Sequence, residues 1–500
     1  MARRRKHWGW GFEDEPQGFE AGPLVEHLAF GSLDVEEPAP LRLPPSRVDP
    51  PSELFTADDH ERAVHAHGAS YVDVVRAFRG EFPHAPDLVA FPRSEAELLA
   101  VLEHCDHARL PITPFGGGTS VVGGVDPVAG GVSVDLSRLD RVLEVDPVSR
   151  AARIGAGARG PVLEEQLAAH GLTLRFYPQS FEFSTLGGWV ATRAAGHFAT
   201  GPTHIDDLVE SVRAVTVGGE VWESRRLPGS GAGPSPDRLL LGSEGTLAVI
   251  TSAWVRVRPK PASRRGASVT FPSFAAGCHA VREIVQSGLA PANCRLVSAA
   301  EARLTFAGSS DLLVLAFEDF VEGADRAFSI CRSHGGHVQE GGGGGGGAWR
   351  DAFLRAPYLR DMLVRVGVLS ETFETAVTWD RVPGLVSSVG AAVLDALGGV
   401  GSVTCRLTHA YVDGAAPYFT VLAPARRGSE VEQWHAIKAV AGDAVLAAGG
   451  TITHHHAVGR DHRPWYDRQR PEPFATAMRA AKDALDPHGL LNPGVLWEAR

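Results

Sequence analysis

Three short segments constrain this chain more than anything else in it. Pro114-Phe-Gly-Gly-Gly-Thr-Ser-Val121, Pro178-Gln-Ser-Phe-Glu-Phe-Ser-Thr-Leu-Gly-Gly188 and Gly242-Ser-Glu-Gly-Thr-Leu-Ala-Val-Ile250 each set glycines and hydroxyls beside apolar residues. Glycine pairs and triplets weaken a helix or strand interior but let a backbone come close to another group. Successive N–H groups in such a loop also make an anion nest, and Thr119 and Ser120 add hydroxyl donors. Taken alone, the first segment fits a tight strand turn equally well. The segments punctuate an α/β pattern that starts at Pro83. Ser94 with Glu97 predicts a capping box, and Leu98, Leu99, Val101, Leu102 and Cys105 follow at helical spacing. A strand is predicted over Leu110 to Phe115, and Val132, Val134 and Leu136 alternate as a strand does. A helix is predicted from about Pro161 to Gly171, and strands around Val215, Val221 and Ala248 to Val257. Arg256-Val-Arg-Pro-Lys-Pro261 closes the region, and α+β patterning follows, with strands over Leu312 to Phe317, Ser402 to Ala410 and Tyr418 to Leu422.

A chain of 500 residues calls for two domains or more. Its net charge of −11 excludes a general nucleic-acid binder. Glycine, 57 residues, has no G-x-y period, so the excess belongs to loops rather than to a collagen-like repeat. The five cysteines (Cys105, Cys278, Cys294, Cys331, Cys405) form no C-x-x-C pair, which fits a reducing cytoplasm better than a disulfide framework or structural zinc. Met1 to Lys6 is basic but no apolar stretch follows, so it does not read as a secretory signal, and no apolar run approaches membrane-spanning length. No lysine follows a glycine, which excludes a Walker A loop, and H-E-x-x-H and G-x-S-x-G are absent. Gly155-Ala-Gly-Ala-Arg-Gly160 matches the dinucleotide fingerprint, with Glu182 as its acidic partner. A tight turn before a packed helix accounts for it better.

In the second half, His454-His-His456 reads either as a metal site or as a proton-handling group. In an extended segment His454 and His456 converge while His455 turns away. No carboxylate or cysteine lies beside them in sequence, which disfavours metal, so no metal is expected. Tyr418 by itself reads as a core aromatic and Arg360 as a solvated helix charge. The run Gly341 to Gly347 is predicted to hold no regular structure and to form a flexible loop. It is either part of a lid over Arg360 or a tolerated insertion.

Together the three glycine and hydroxyl segments resemble the FAD-binding domain of the vanillyl-alcohol-oxidase (PCMH-type) flavoproteins. That resemblance implies an α+β fold, with a two-subdomain FAD-binding domain followed by an α+β cap. The divisions expected are a leader with short helices over 1–82, the FAD domain over 83–261 and the cap over 262–500. It implies that FAD lies against Pro114, Phe115, Gly116, Gly117, Gly118, Thr119, Ser120 and Val121. The second segment would add Gln179, Ser180, Phe181, Glu182, Phe183, Ser184, Thr185, Gly188, Thr192, Arg193, Ala194 and Ala195. The third would add Glu244, Gly245, Thr246, Leu247, Ala248, Val249 and Ile250. No histidine stands in the Gly116 to Gly118 loop, where some relatives attach flavin covalently, so dissociable FAD is expected.

Further motifs narrow the family. Trp8-Gly-Trp-Gly-Phe12, Glu182-Phe-Ser-Thr-Leu-Gly-Gly-Trp-Val-Ala-Thr-Arg193, Phe373-Glu-Thr-Ala-Val-Thr-Trp-Asp-Arg381, Cys405-Arg-Leu-Thr-His-Ala-Tyr411, Tyr418-Phe and His454-His-His-Ala-Val-Gly459 resemble the alkyldihydroxyacetonephosphate (alkylglycerone-phosphate) synthases. This resemblance implies exchange of the acyl group of acyl-dihydroxyacetone phosphate for a long-chain alcohol, without net redox. A covalent intermediate would divide the displacement into easier steps. It assigns the substrate phosphate to Arg360 and proton handling to Tyr418, His454, His455 and His456, and it implies a homodimer. A cytoplasmic enzyme touching the membrane surface to collect lipid is expected. The rival reading is an FAD-dependent 2-hydroxyacid dehydrogenase or oxidase of D-lactate or glycolate type, because Asp486-Pro-His-Gly-Leu-Leu-Asn-Pro-Gly494 resembles the C-terminal signature of those enzymes.

Overall fold

The computed structural model describes residues 3–15, 19–305, 307–341 and 345–498. Three sheets carry the architecture. The first runs Phe55–Thr56, Leu88–Ala90, Val132–Asp135, Ile112–Phe115; both pairings of Val132–Asp135 are parallel, and the edge pairing of Phe55–Thr56 with Leu88–Ala90 is antiparallel. The second is antiparallel throughout, in the order Val142–Asp146, Ala151–Gly155, Val249–Arg256, Val209–Val215, Val221–Glu223. The third, also antiparallel, runs His337–Glu340, Arg264–Phe271, Asp311–Glu318, Asn293–Val297, Ser402–Ala410, Gly414–Pro424, Val368–Glu374. The three sheets therefore each have their own core, as an α+β chain requires.

Local sequence explains the elements that place the site. The helix Glu95–Ala108 starts where Ser94 Oγ accepts the Glu97 N–H, and it buries Leu98, Val101, Leu102 and Cys105 on one face. The Glu97 carboxylate does not close the expected box on Ser94; it accepts the Arg93 N–H at 2.6 Å, one residue earlier. Gly155 ends a strand with antiparallel partners on both sides, so the dinucleotide fingerprint lacks its parallel crossover. Its glycines instead admit neighbouring chain: a Cβ on Gly157 would stand 1.7 Å from Leu136 O, and one on Gly155 2.1 Å from Leu139 O.

The third sheet, in the expected cap, has one dry face and one polar face. Cys405, Leu407, Phe419, Val421, Leu369 and Phe373 are buried in the large core that also takes Trp8 and the helix Tyr71–Phe78. Arg406 and Thr408 alternate with the first pair, and Tyr418 and Thr420 with the second, so they share the opposite face. Thr408 is the extra residue of a register shift between the pairs Leu407–Pro417 and His409–Ala416, beside a proline that has no N–H for the ladder.

The seven-glycine run departs from expectation. Gly342–Gly344 lie outside the described residues, but a helix spans Gly345–Arg365, so its last three glycines belong to a first helical turn. The long helix that follows propagates order into residues with poor intrinsic propensity. All five cysteines are buried and free. Among the described residues no helix is long and apolar enough to cross a membrane.

Candidate active site

A cavity of about 890 Å³ lies between the FAD-domain loops and the polar face of the cap sheet. Its floor on the FAD side is Gly116 to Val121 together with Gln179, Ser180, Ser184, Thr185, Gly188, Thr192, Ala194 and Ala195. These two segments are pressed together. A Cβ on Gly117 would stand 1.9 Å from Phe183 O, one on Gly116 2.4 Å from Thr185 Oγ1, and Gly118 has φ +63°. The glycine triplet is therefore required by loop-on-loop packing as well as by any ligand. No described residue accepts from the N–H groups of Gly117, Gly118 or Thr119, and all three residues line the cavity, where a run of free N–H groups makes an anion nest.

The other residues of these segments stand behind the cavity wall. Pro114 packs on Gly245, and Phe115 lies under Gly118. Phe181 crowds Gly160. Arg193 pairs with Asp206 and packs on Gly242. Glu244 to Ile250 do not line the cavity. Glu244 accepts the N–H groups of Val458 and Gly459, both at 2.9 Å, and burial raises its carboxyl to about 7 despite those donors. Thr246 bonds Ser243 O, Leu247 and Ala248 are core, and Val249 and Ile250 open the strand Val249–Arg256. The third segment thus holds the turn after the triple histidine from behind.

The N-terminal segment straps the cavity closed at one side. Arg5 donates to Gly117 O at 2.7 Å, and Trp10 lies edge-on to Phe183. Trp10 N–H donates to Asp361 at 2.9 Å, a contact that Gly9 permits because a Cβ there would stand 2.4 Å from that carboxylate. The Glu182 carboxylate accepts Tyr358 O–H at 2.8 Å, so it ties the second loop to the helix Gly345–Arg365. Arg360, on that helix, lines the cavity. Its Nε is buried with no hydrogen-bond partner among the described residues, and burial lowers its guanidinium pKa. Such a group calls for an anion.

Facing Arg360 is the polar face of the cap sheet. Glu374, Tyr418 and Arg406 stand in register on three adjacent strands. Arg406 lies over the Tyr418 ring at 3.9 Å and pairs with buried Glu301. Burial raises the Tyr418 phenol, against the pull of Arg406. Glu374, almost fully buried, gathers Thr453 Oγ1 at 2.6 Å and the N–H groups of His454, His455 and His456. Burial works to raise its carboxyl, but His456, His454 and these donors prevail and hold it at about 2.

This clamp overturns the expected orientation of the histidines. The segment is a run of bends, not extended, because three successive N–H groups converge on one carboxylate. His455 and His456 line the cavity beside Tyr418, at ring distances of 6.1 and 5.4 Å, and His454 lies behind them. Burial lowers the pKa of all three. His409, His454 and His455 each bring a ring nitrogen within 4.8 Å of the others. Sequence reasoning passed over Glu374, Arg406, Glu301 and His409. Arg406 carried a signal, since it alternates with Cys405 and Leu407 in a strand.

The same cavity is walled elsewhere by apolar side chains: Leu24 and Leu28 of the helix Ala21–Leu28, with Leu304, Leu359, Leu363 and Leu422. Residues 86–225 match the FAD binding domain family, and residues 260–496 match the C-terminal domain of FAD linked oxidases. An alkyldihydroxyacetonephosphate synthase of Caenorhabditis elegans is 30% identical over 475 residues, covering 87% of this chain and 79% of the relative. The chain belongs to the alkyldihydroxyacetonephosphate synthase family. The family's Dictyostelium discoideum relative, also an alkyldihydroxyacetonephosphate synthase, is 29% identical over 92% of this chain and 83% of its own length. A solved alkyldihydroxyacetonephosphate synthase structure shares the fold, with a TM-score of 0.83 and 24% identity over 98% of both chains. FAD is the cofactor, and the unpaired N–H run at Gly117 to Thr119 fits its diphosphate.

Proposed function

We propose that the protein exchanges the acyl group of acyl-dihydroxyacetone phosphate for a long-chain alcohol, yielding an ether and a free carboxylate. The observation that carries this reading is the pairing, in one cavity, of an arginine whose buried Nε has no partner among the described residues with an apolar wall. Arg360 binds the phosphate, and Leu24, Leu28, Leu359 and Leu363 receive the chain. A 2-hydroxyacid of lactate or glycolate size has no chain to fill that wall. FAD, bound without a covalent link, supplies an electron-pair acceptor that returns oxidised at the end of the cycle. The protein's own groups manage protons. His455 and His456 are neutral at physiological pH and accept them, whereas Tyr418 keeps its hydroxyl hydrogen and donates it. Glu374 fixes where both imidazoles stand.

Purified holoenzyme incubated with acyl-dihydroxyacetone phosphate and hexadecanol should form ether lipid with no electron acceptor present. Dye reduction by a 2-hydroxy acid, with no ether formed, would replace this reading with the oxidoreductase one. Arg360→Ala should raise KM for the phosphorylated substrate about a hundredfold, the loss of a charge-assisted phosphate contact, and leave flavin content intact.

A further inference from the structure

We propose that His455, His454 and His204 form a proton outlet leading from the cavity to the protein surface. The inference rests on the exchange reaction above, in which ester plus alcohol gives ether plus carboxylate and one proton. That proton comes from the alcohol hydroxyl, inside the cavity, and must leave.

The direction of the outlet follows from one carbonyl. His204 Nδ1 lies 3.0 Å from Arg193 O. A carbonyl only accepts, so Nδ1 carries the hydrogen and the Nε2 of neutral His204 is a bare lone pair. That lone pair faces His454 Nε2 at 3.1 Å, so His454 donates there and its own Nδ1 is bare. His455 Nδ1 stands 2.9 Å from His454 Nδ1, so His455 must be the donor of that pair. The Nε2 of His455 is then left as an acceptor on a ring that lines the cavity. At the far end, His204 is partly exposed. The hydrogens of His455 and His454 thus point from the cavity toward His204, whose own Nδ1 hydrogen rests on the Arg193 carbonyl. Tyr411 O–H, 2.7 Å from His454 Nε2, shares the same hydrogen through its oxygen and bonds Thr203 Oγ1 on its other side.

In operation, the alcohol O–H bond breaks as a bond to His455 Nε2 forms. The Nδ1 hydrogen of His455 passes to His454 Nδ1, and the Nε2 hydrogen of His454 passes to His204 Nε2. His204, now carrying two hydrogens, swings its partly exposed ring off the Arg193 carbonyl, and its Nδ1–H bond breaks to give that proton to water. No electrons change hands, and ring rotation restores the resting tautomers. Glu374 Oε2, 3.6 Å from His455 Nδ1, favours the transient positive charge on that ring. None of the residues that bind phosphate or flavin is part of the chain.

Two measurements test this on the holoenzyme. Nitrogen-15 spectra of histidine-labelled protein, assigned with His204→Gln and His454→Gln, should show His204 protonated at Nδ1 and His454 at Nε2. The opposite tautomers, or a stoichiometric metal held by these rings, would overturn the outlet. Kinetically, H204Q should lower kcat about a hundredfold, leave KM and flavin content unchanged, and regain rate when imidazole is added to the buffer. An unchanged kcat, or a loss that imidazole does not restore, would also overturn it. Absence of ether synthesis by the unaltered enzyme sinks the exchange reaction instead, and the tautomer pattern then decides the chain by itself.

Discussion

Glu374→Gln is the most informative single change behind the cavity wall, because it keeps the side chain's shape and removes its charge. Oε1 takes three donors, from Thr453, His455 and His456, and Oε2 takes the His454 N–H. Glutamine would keep its oxygen toward the three and turn its amide group on the fourth, so one charge-assisted bond becomes a donor facing a donor. Losing such a bond in a buried site costs about 1.5–3 kcal/mol. The direction of the carboxyl's shift agrees, since the same donors hold the Glu374 carboxyl low against its burial. The depressed pKa sets the sign. The contribution is complete above the unfolded carboxyl's range and is lost as pH falls from about 4.5 toward 2. Urea unfolding should therefore show E374Q less stable by about 1.5–3 kcal/mol at pH 7. Over the acid window the variant should lose less further stability than the parent. Ether synthesis should fall as well, because the same bonds place His455 and His456. A variant with the parent's unfolding midpoint and acid limb would refute the clamp.

Gly117→Ala should strip flavin from the protein, read as flavin absorbance per chain, because its Cβ would meet Phe183 O at 1.9 Å and force the two cofactor loops apart. Glu301→Gln should cost about 3–5 kcal/mol in urea unfolding by leaving Arg406 buried without its counter-charge. Tyr418→Phe keeps the ring under Arg406 but removes the hydroxyl, so kcat should fall about a hundredfold or more with flavin content unchanged.

What could be read in the sequence was local, and what could not was held together across long separations. The loops at Gly116 to Gly118 and Ser184 to Gly188 announced themselves because glycine and hydroxyl spacing is a property of neighbours. The strand Ser402–Ala410 was legible from its alternation, and it fell where expected. The strand expected from Tyr418 starts instead at Gly414, because Pro417, which ordinarily stops a ladder, is absorbed by the shift at Thr408. The histidine orientation failed for a different reason. An extended backbone was the natural assumption for three adjacent residues, and a carboxylate eighty positions earlier in the chain bends them. Tyr418 by itself reads as a core aromatic and Arg406 is passed over, because which strands lie side by side is fixed by sheet order, which short-range patterns do not carry.

That division has a mechanistic consequence. Glu374, Tyr418 and Arg406 share one face only because three strands hold a common register, and a slip by one residue would turn Phe373, Phe419 or Cys405 into the cavity instead. The stacked Phe373 and Phe419 rings, 4.9 Å apart on the opposite face, belong to the core and fix that register by burial. The apolar pattern that a sequence displays plainly therefore decides the placement of the polar groups it displays poorly. Core substitutions such as Phe419→Ala should accordingly disturb the proton-handling groups without touching them.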